Sequence, residues 1–314
     1  MRYNGIHKGE FFMQELEQCR ICPRECGINR NHGETGYCGM TADVRIARAT
    51  LHFWEEPCIS GKEGSGTVFF AGCNLGCVYC QNHNISFASN KNIGKVVTLD
   101  ELAETFLRLM SDGANNINLV TPTHYALHIA KAIEMAKDRG LSIPILYNTG
   151  SYEKTETLKK LEGLVDIYLP DLKYVSPELS KEYSFAEDYF EKASLAIEEM
   201  VRQTGTCDFD ERGIIKKGVI VRNLILPGHT KESKKVIKYL HQTYGNKIYI
   251  SIMNQYTPFT WVGEKYPQIN RKVTKREYDK VVKEALDMGV INGFIQEGDT
   301  AKDSFIPDFQ NNQN

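Results

Sequence analysis

From residue 67 onward the hydrophobic and polar positions follow two alternating rhythms. Short β-branched or aromatic runs at 67–72, 116–121, 143–147, 166–170, 219–226, 247–253 and 290–296 read as buried strands. Between them, apolar residues recur at helical spacing over 98–111, 124–139, 152–162, 184–203, 231–244 and 274–287. In the first of these, Leu99, Leu102, Phe106, Leu107 and Met110 share one face, and Thr98 is placed to cap the start. Such alternation builds βα units around a parallel sheet, so the fold class is α/β. No GxGxxG follows the first strand, and a partial (β/α)6 TIM-like barrel with an open side suits the pattern better than a dinucleotide-binding sheet.

Residues 1–66 break the rhythm. They are rich in Cys, Gly and Arg, with strand-like pieces only around 44–50. Three parts are therefore expected: a Cys-rich N-terminal metal-binding subdomain at 1–66, the barrel at 67–298, and a polar tail at 299–314 whose SFIPDF segment can fold back onto the barrel.

Charge and composition narrow the function. Lys plus Arg number 38 against 40 Asp plus Glu, a net charge of -2 that gives no pull toward nucleic acid or anionic membrane. Lys231, Lys234, Lys235 and Lys238 form the best basic stripe and fit a solvated helix face. No apolar run is long enough to cross a bilayer and the first residues lack a secretory core, so the expected location is the cytoplasm. Of nine cysteines, Cys19, Cys22, Cys26, Cys38, Cys58, Cys73, Cys77 and Cys80 all precede residue 81. Without an export signal, such crowding points to metal centres rather than disulfides.

The first barrel strand runs directly into CNLGCVYC, residues 73–80. Thiols spaced three and then two residues apart can wrap a [4Fe-4S] cubane through Cys73, Cys77 and Cys80, leaving the fourth iron without a protein ligand. At the C-terminal mouth of a barrel, that iron is open to the amino and carboxylate groups of a methionine moiety. Zinc, the competing metal, wants four closed ligands, commonly in CxxC pairs.

This segment resembles the CxxxCxxC signature of the radical S-adenosylmethionine (SAM) superfamily. Within it, the chain is most similar to an uncharacterised branch related to pyruvate formate-lyase-activating enzyme, through an N-terminal CxxCPxxC, EEPCISGKEGSGTVFFAGCNLGCVYCQN, NLVTPTHY, DLKY, LILPGH, MNQYTP, GFIQEG and SFIPDF. The resemblance implies SAM as cosubstrate, a reducing donor such as flavodoxin or ferredoxin, and a D-x-K motif at Asp171 and Lys173 whose lysine reaches the SAM carboxylate. The family's glycine-rich GGE phrase, which receives the SAM amino group, is replaced by 121–124, TPTH, where Thr121 and Thr123 offer hydroxyls instead. After the third strand, Asn148 stands in place of an acidic residue beside Thr149, which weakens charge compensation there. Tyr79, Arg222 and Asn254 complete the expected cofactor contacts, and Gln255 and Tyr256 beside Asn254 are expected to point to the same mouth. His124 is open between a proton carrier and a packing residue.

Cys19, Cys22, Cys26 and Cys38 make a second thiol group that suits either a structural zinc or an auxiliary iron-sulfur cluster. Cys58 is open as a substitute ligand, and Cys207 reads as an inert thiol. The expected activity is hydrogen-atom abstraction by a 5′-deoxyadenosyl radical, with glycyl-radical activation of a partner protein as one target. Residues 81–115 hold no further cysteine, so the two-cluster insert of many activases is absent. Modification of a peptide, metabolite or nucleotide competes with activation, and so does a non-catalytic electron carrier.

Overall fold

The computed structural model describes residues 14–87 and 93–296. The chain start, the tail at 299–314 and its SFIPDF segment lie outside the described residues. Ten strands form one sheet: β1 (Val44–His52), β2 (Ser65–Phe70), β3 (Lys95–Val97), β4 (Ile117–Val120), β5 (Ile145–Thr149), β6 (Ile167–Pro170), β7 (Asp208–Phe209), β8 (Ile215–Leu224), β9 (Tyr249–Met253) and β10 (Gly293–Ile295). Their order is β10-β9-β8-β6-β5-β4-β2-β1-β3, with β7 paired to β8. Strands β2, β4, β5, β6, β8, β9 and β10 run parallel. The two ends of this order do not meet, so the sheet is an open, partial barrel.

The helices are α1 (Pro57–Ser60), α2 (His83–Ser86), α3 (Leu99–Ser111), α4 (Ala126–Asp138), α5 (Thr155–Lys159), α6 (Pro177–Ser184), α7 (Tyr189–Thr204), α8 (Thr230–Tyr244), α9 (Thr260–Lys265) and α10 (Lys275–Asp287). Helix α3 begins at a reciprocal capping box in which Thr98 and Glu101 satisfy each other's backbone N–H, and Thr274 with Glu277 does the same for α10. Of the α3 face read from sequence, Leu102 and Phe106 lie in the main core, joined there by Leu109, while Leu107 and Met110 are half-buried against it; Val236, Ile237 and Leu240 of α8 are also in that core.

Three elements depart from the sequence reading. The helix expected at 184–203 begins only at Tyr189, as α7, because Phe185 with a φ of 53° ends a separate helix, α6, at Ser184. The helix expected at 152–162 shrinks to the five residues of α5, because Ser151 at φ 66° and the extended Lys154 keep the chain out of helix before Thr155. The strand-like piece near 44–50 belongs to the sheet: β1 lies antiparallel on β2 across the boundary drawn at residue 66.

Candidate active site

All the parallel strands deliver their C-terminal ends to one mouth, and the loops there enclose a cavity of about 220 Å³. Cys73, Cys77 and Cys80 line it together with Thr121, Thr123, Asn148, Thr149, Asp171, Lys173 and Arg222. The turn that sets the thiols uses two glycines in the left-handed region, Gly72 at φ 83° and Gly76 at φ 71°. A Cβ on Gly72 would fall 2.7 Å from the Cys38 carbonyl oxygen, so the cluster loop starts in direct backbone contact with the N-terminal region.

Each sulfur of the triad accepts one hydrogen bond from the chain. The Leu75 N–H donates to Cys73 at 3.3 Å, the Ser184 hydroxyl to Cys77 at 2.9 Å and the Ser86 hydroxyl to Cys80 at 3.3 Å. Burial raises the pKa of all three thiols, that of Cys80 to about 12. The triad fits a cubane on its donor set: three thiols facing one cavity, donors already aimed at the sulfurs, and Lys173 alongside to offset thiolate charge. Among the described residues, no three His, Cys, Asp or Glu side chains gather tightly enough for a single ion. A cubane does not require that, because each thiolate takes its own iron.

Beside the thiols stands a partly buried charge network. Lys173 Nζ lies 2.7 Å from Asp171 Oδ2, and Arg222 Nε donates to Asp171 Oδ1 at 2.9 Å. Burial alone would raise the Asp171 carboxyl, but the Arg222 and Lys173 cations outweigh it and hold its pKa low. Burial would likewise lower Lys173, yet the Asp171 carboxylate keeps it charged. An exposed loop pair would have neither property.

Arg222 also reaches Glu55 Oε2 at 3.2 Å and Asn148 Oδ1 at 2.6 Å, while Asn148 Nδ2 donates to Glu55 Oε1 at 3.3 Å. Glu55 thus supplies, from the loop after β1, the acid that the Asn148 position lacks. Sequence reasoning passed over Glu55, although it opens the EEPC phrase.

The threonines are organised from behind by a second residue that the sequence did not disclose. The hydroxyls of Thr123 and Thr149 both donate to Glu153 Oε1, at 2.6 and 2.5 Å. With its proton committed inward, the Thr123 oxygen is left as an acceptor toward the cavity, while the Thr149 oxygen already accepts from the Ser151 N–H at 3.1 Å and keeps one lone pair. Glu153 is 1% exposed, its other oxygen has no hydrogen-bond partner, and burial raises its pKa to about 7. Thr121 lines the cavity at φ 59°, a strained setting for a β-branched residue that costs on the order of 1–3 kcal/mol.

Tyr79 lines the inner wall, its hydroxyl 2.5 Å from that of Tyr174. Asn254 is not among the lining residues, whereas its neighbour Gln255 is. His124 is buried with Nε2 2.7 Å from the Ala71 carbonyl oxygen, and burial beside Arg30 lowers its pKa to about 3. It is neutral near pH 7 and acts in packing rather than as a proton carrier.

Cys19, Cys22, Cys26 and Cys38 line a separate small cavity of about 10 Å³ with Arg30, Tyr37 and His124. Burial raises the Cys22 thiol to about 12 and also raises Cys38. Cys58 lies elsewhere, in an apolar cluster with Ile59, Leu146 and Ile167 that Cys207 packs against. Lys234 and Lys235 are ion-paired with Glu284 and Glu232.

The chain is similar to several known proteins. An uncharacterized protein of Methanocaldococcus jannaschii is 28% identical over 282 residues, covering 88% of this chain and 76% of its own length. A second from the same organism is 24% identical over 245 residues, 71% of this chain and 65% of its own. Similar solved structures include a domain of pyruvate-formate lyase-activating enzyme from Bacteroides vulgatus, at 13% identity and TM-score 0.39 over 55% of this chain and 93% of that one. SuiB of Streptococcus suis, bound to its precursor peptide SuiA, is 14% identical at TM-score 0.47 over 73% of this chain and 47% of that one. The Radical SAM superfamily model matches residues 67–240, more than half of the chain and the stretch that holds the three thiols, the threonines and the Asp171–Lys173 pair. The chain belongs to the radical SAM superfamily, which implies a [4Fe-4S] cluster and SAM.

Proposed function

We propose that this protein abstracts a hydrogen atom from its substrate with a SAM-derived radical, using a cluster held by Cys73, Cys77 and Cys80. The observation that carries this reading is the single cavity that the three thiols share with the partly buried Asp171–Lys173–Arg222 network. When bound, the cluster supplies one electron to the SAM sulfonium, whose carbon-sulfur bond breaks to give methionine and the 5′-deoxyadenosyl radical that takes the hydrogen.

The chain's own residues bind and orient. Lys173 is a fixed cation suited to the methionyl carboxylate, and Asp171 with Arg222 keeps it pointed into the cavity. Thr123 and Thr149, with Glu153 behind them, offer acceptors for the amino group in the place of the missing glycine-rich phrase. Thr121, Asn148 and Tyr79 complete the wall that keeps water out. Asn254 acts from just outside this wall, its N–H held by Gln296 at 2.8 Å. An electron carrier without catalysis has no use for such a cavity and its partly buried cations.

The substrate that fits best is a polypeptide, with a glycine of a partner protein as the radical's destination. Trp54, 62% exposed on the cavity lining, offers an aromatic platform that a small metabolite does not need. A low-potential donor of the flavodoxin or ferredoxin class supplies the electron, in the cytoplasm. Among the described residues, no helix is long and apolar enough to cross a membrane. Cys19, Cys22, Cys26 and Cys38 would hold a second metal as an auxiliary iron-sulfur cluster, in which each thiolate takes its own iron, rather than as zinc, which needs its ligands gathered on one ion.

The decisive experiment incubates the anaerobically reconstituted protein with dithionite and SAM and measures 5′-deoxyadenosine. Formation of this product is expected. A cluster-loaded protein that makes none is an electron carrier, and the proposal fails.

A further inference from the structure

The four-cysteine group and the triad look independent in sequence, separated by residues 39–72. The structure joins them through one side chain. Arg24 sits between Cys22 and Cys26, and its guanidinium leaves that loop to grip the backbone around the triad. Its Nε donates to the Asn74 carbonyl at 2.8 Å and a terminal nitrogen reaches the Leu75 carbonyl at 3.5 Å, both inside the cluster loop. That same nitrogen also donates to the Ser184 carbonyl at 3.3 Å, and the other terminal nitrogen donates to the Phe185 carbonyl at 2.6 Å.

Those four carbonyls are not arbitrary. Leu75 is the residue whose N–H donates to Cys73, and Ser184 is the residue whose hydroxyl donates to Cys77. Phe185 is held at φ 53°, a strained corner that ends α6 and keeps Ser184 turned to the sulfur. A planar cation with five donors can tie such a corner to the loop beside it, which a point donor cannot.

A second arm runs in parallel. Tyr37, next to Cys38, donates its hydroxyl to the Leu75 carbonyl at 2.8 Å, and its backbone N–H donates to Cys26 Sγ at 3.4 Å. Its ring lies 3.8 Å beneath the Arg24 guanidinium and fixes that group's plane. Both arms are therefore rooted beside thiols of one group and end on the hydrogen-bond donors of the other.

We propose that the four-cysteine module is a clamp on the cluster loop, and that Arg24 is a positioning residue through which metal loading at Cys19, Cys22, Cys26 and Cys38 fixes Cys73 and Cys77. This rests on the reading that the triad holds a cluster and the N-terminal thiols a metal. Removing the metal frees the loop at 19–38, Arg24 loses its anchor, and two of the three sulfurs lose the groups that orient their donors. Outer-shell partners of this kind are worth roughly ten- to a hundredfold in metal retention.

The test uses the full-length protein, reconstituted anaerobically, as wild type, Arg24→Ala, Arg24→Lys and the double variant Cys22→Ser with Cys38→Ser. Two quantities are read: the rate of iron loss to a ferrous chelator, and the change that SAM makes in the EPR spectrum of the reduced cluster. Only a cluster with an open iron gives the second, so it reports the triad alone. In R24A, iron loss is expected to quicken roughly ten- to a hundredfold and the SAM-induced spectral change to shrink, while far-UV circular dichroism stays that of the wild type. R24K, which keeps the charge but not the fork, falls between the two. The double-cysteine variant reproduces the R24A spectrum. Wild-type behaviour in either R24A or the double-cysteine variant overturns the clamp. A wild-type protein whose cluster ignores SAM overturns instead the function on which the clamp rests. Should R24A fail to fold, Tyr37→Phe removes a single hydroxyl: faster iron loss supports the clamp, and an unchanged rate overturns it.

Discussion

The chain gathers thiols in two places and treats them differently. The triad faces a cavity of about 220 Å³ that also holds two cations and two carboxylates, whereas the four N-terminal thiols line a space of only about 10 Å³. Burial raises the pKa of all three triad thiols, and in the N-terminal set that of Cys22 and Cys38, while Cys26 is exposed. Residue type is thus shared, and the surroundings make the difference. Free volume beside fixed charges lets a cosubstrate enter the first site. Close packing against Arg30, Tyr37 and His124 makes the second a fastening.

The sharpest way to break this contrast is Cys77→Ala, which is expected to eliminate 5′-deoxyadenosine formation while Cys22→Ser leaves some. Equal loss in both variants would erase the distinction between site and fastening. Next in size is Arg222→Met. It strips the cation that Asp171 and Glu55 share, and a broken buried pair of this kind costs about 3–5 kcal/mol. Anaerobic urea unfolding monitored by circular dichroism would register that loss.

Glu153→Gln probes the wall behind the threonines. Its carboxyl is raised by burial from 4.5 to about 7, so between those values the folded chain keeps a proton that the unfolded chain has released. The contribution of Glu153 to stability is therefore most favourable below pH 4.5 and declines by about 3 kcal/mol as the pH rises through that window. The glutamine variant is neutral throughout and should lack this slope, as unfolding free energies at pH 5 and pH 8 would reveal.

Smaller still is Ser184→Ala, which removes one O–H···S bond from Cys77 and is expected to cost about 1 kcal/mol, read as a lower melting temperature of the loaded protein. Cys207→Ser marks the floor, with no change in metal content by plasma emission analysis, because Cys207 packs against the apolar cluster of Cys58 and away from both thiol sets.

The residues that could be read directly are those whose roles are local. Cys73, Cys77 and Cys80 lie within one turn, and Asp171 and Lys173 are two residues apart at a strand end, so spacing alone brought each set to the mouth. A one-residue register is less legible: of Asn254, Gln255 and Tyr256, all expected toward the mouth, Gln255 lines the cavity, since consecutive residues leaving a strand face opposite sides. Nor is a backbone break legible at 184–203, where the apolar spacing of a helix continues through Phe185 although α7 starts only at Tyr189.

By itself, then, the sequence determined the parallel α/β architecture, the triad and its mouth-facing cation, because hydrophobic period and short-range spacing specify these. Only the tertiary structure decided that Glu55 compensates for Asn148, that Glu153 stands behind Thr123 and Thr149, and that Arg24 ties one thiol set to the other. Glu55 and Asn148 are 93 residues apart, and Arg24 and Ser184 are 160 apart. Nothing in local propensity couples positions so distant. Their pairing follows from burial, which makes an unpaired charge or donor costly and so requires that each find its partner wherever the fold has brought one within reach.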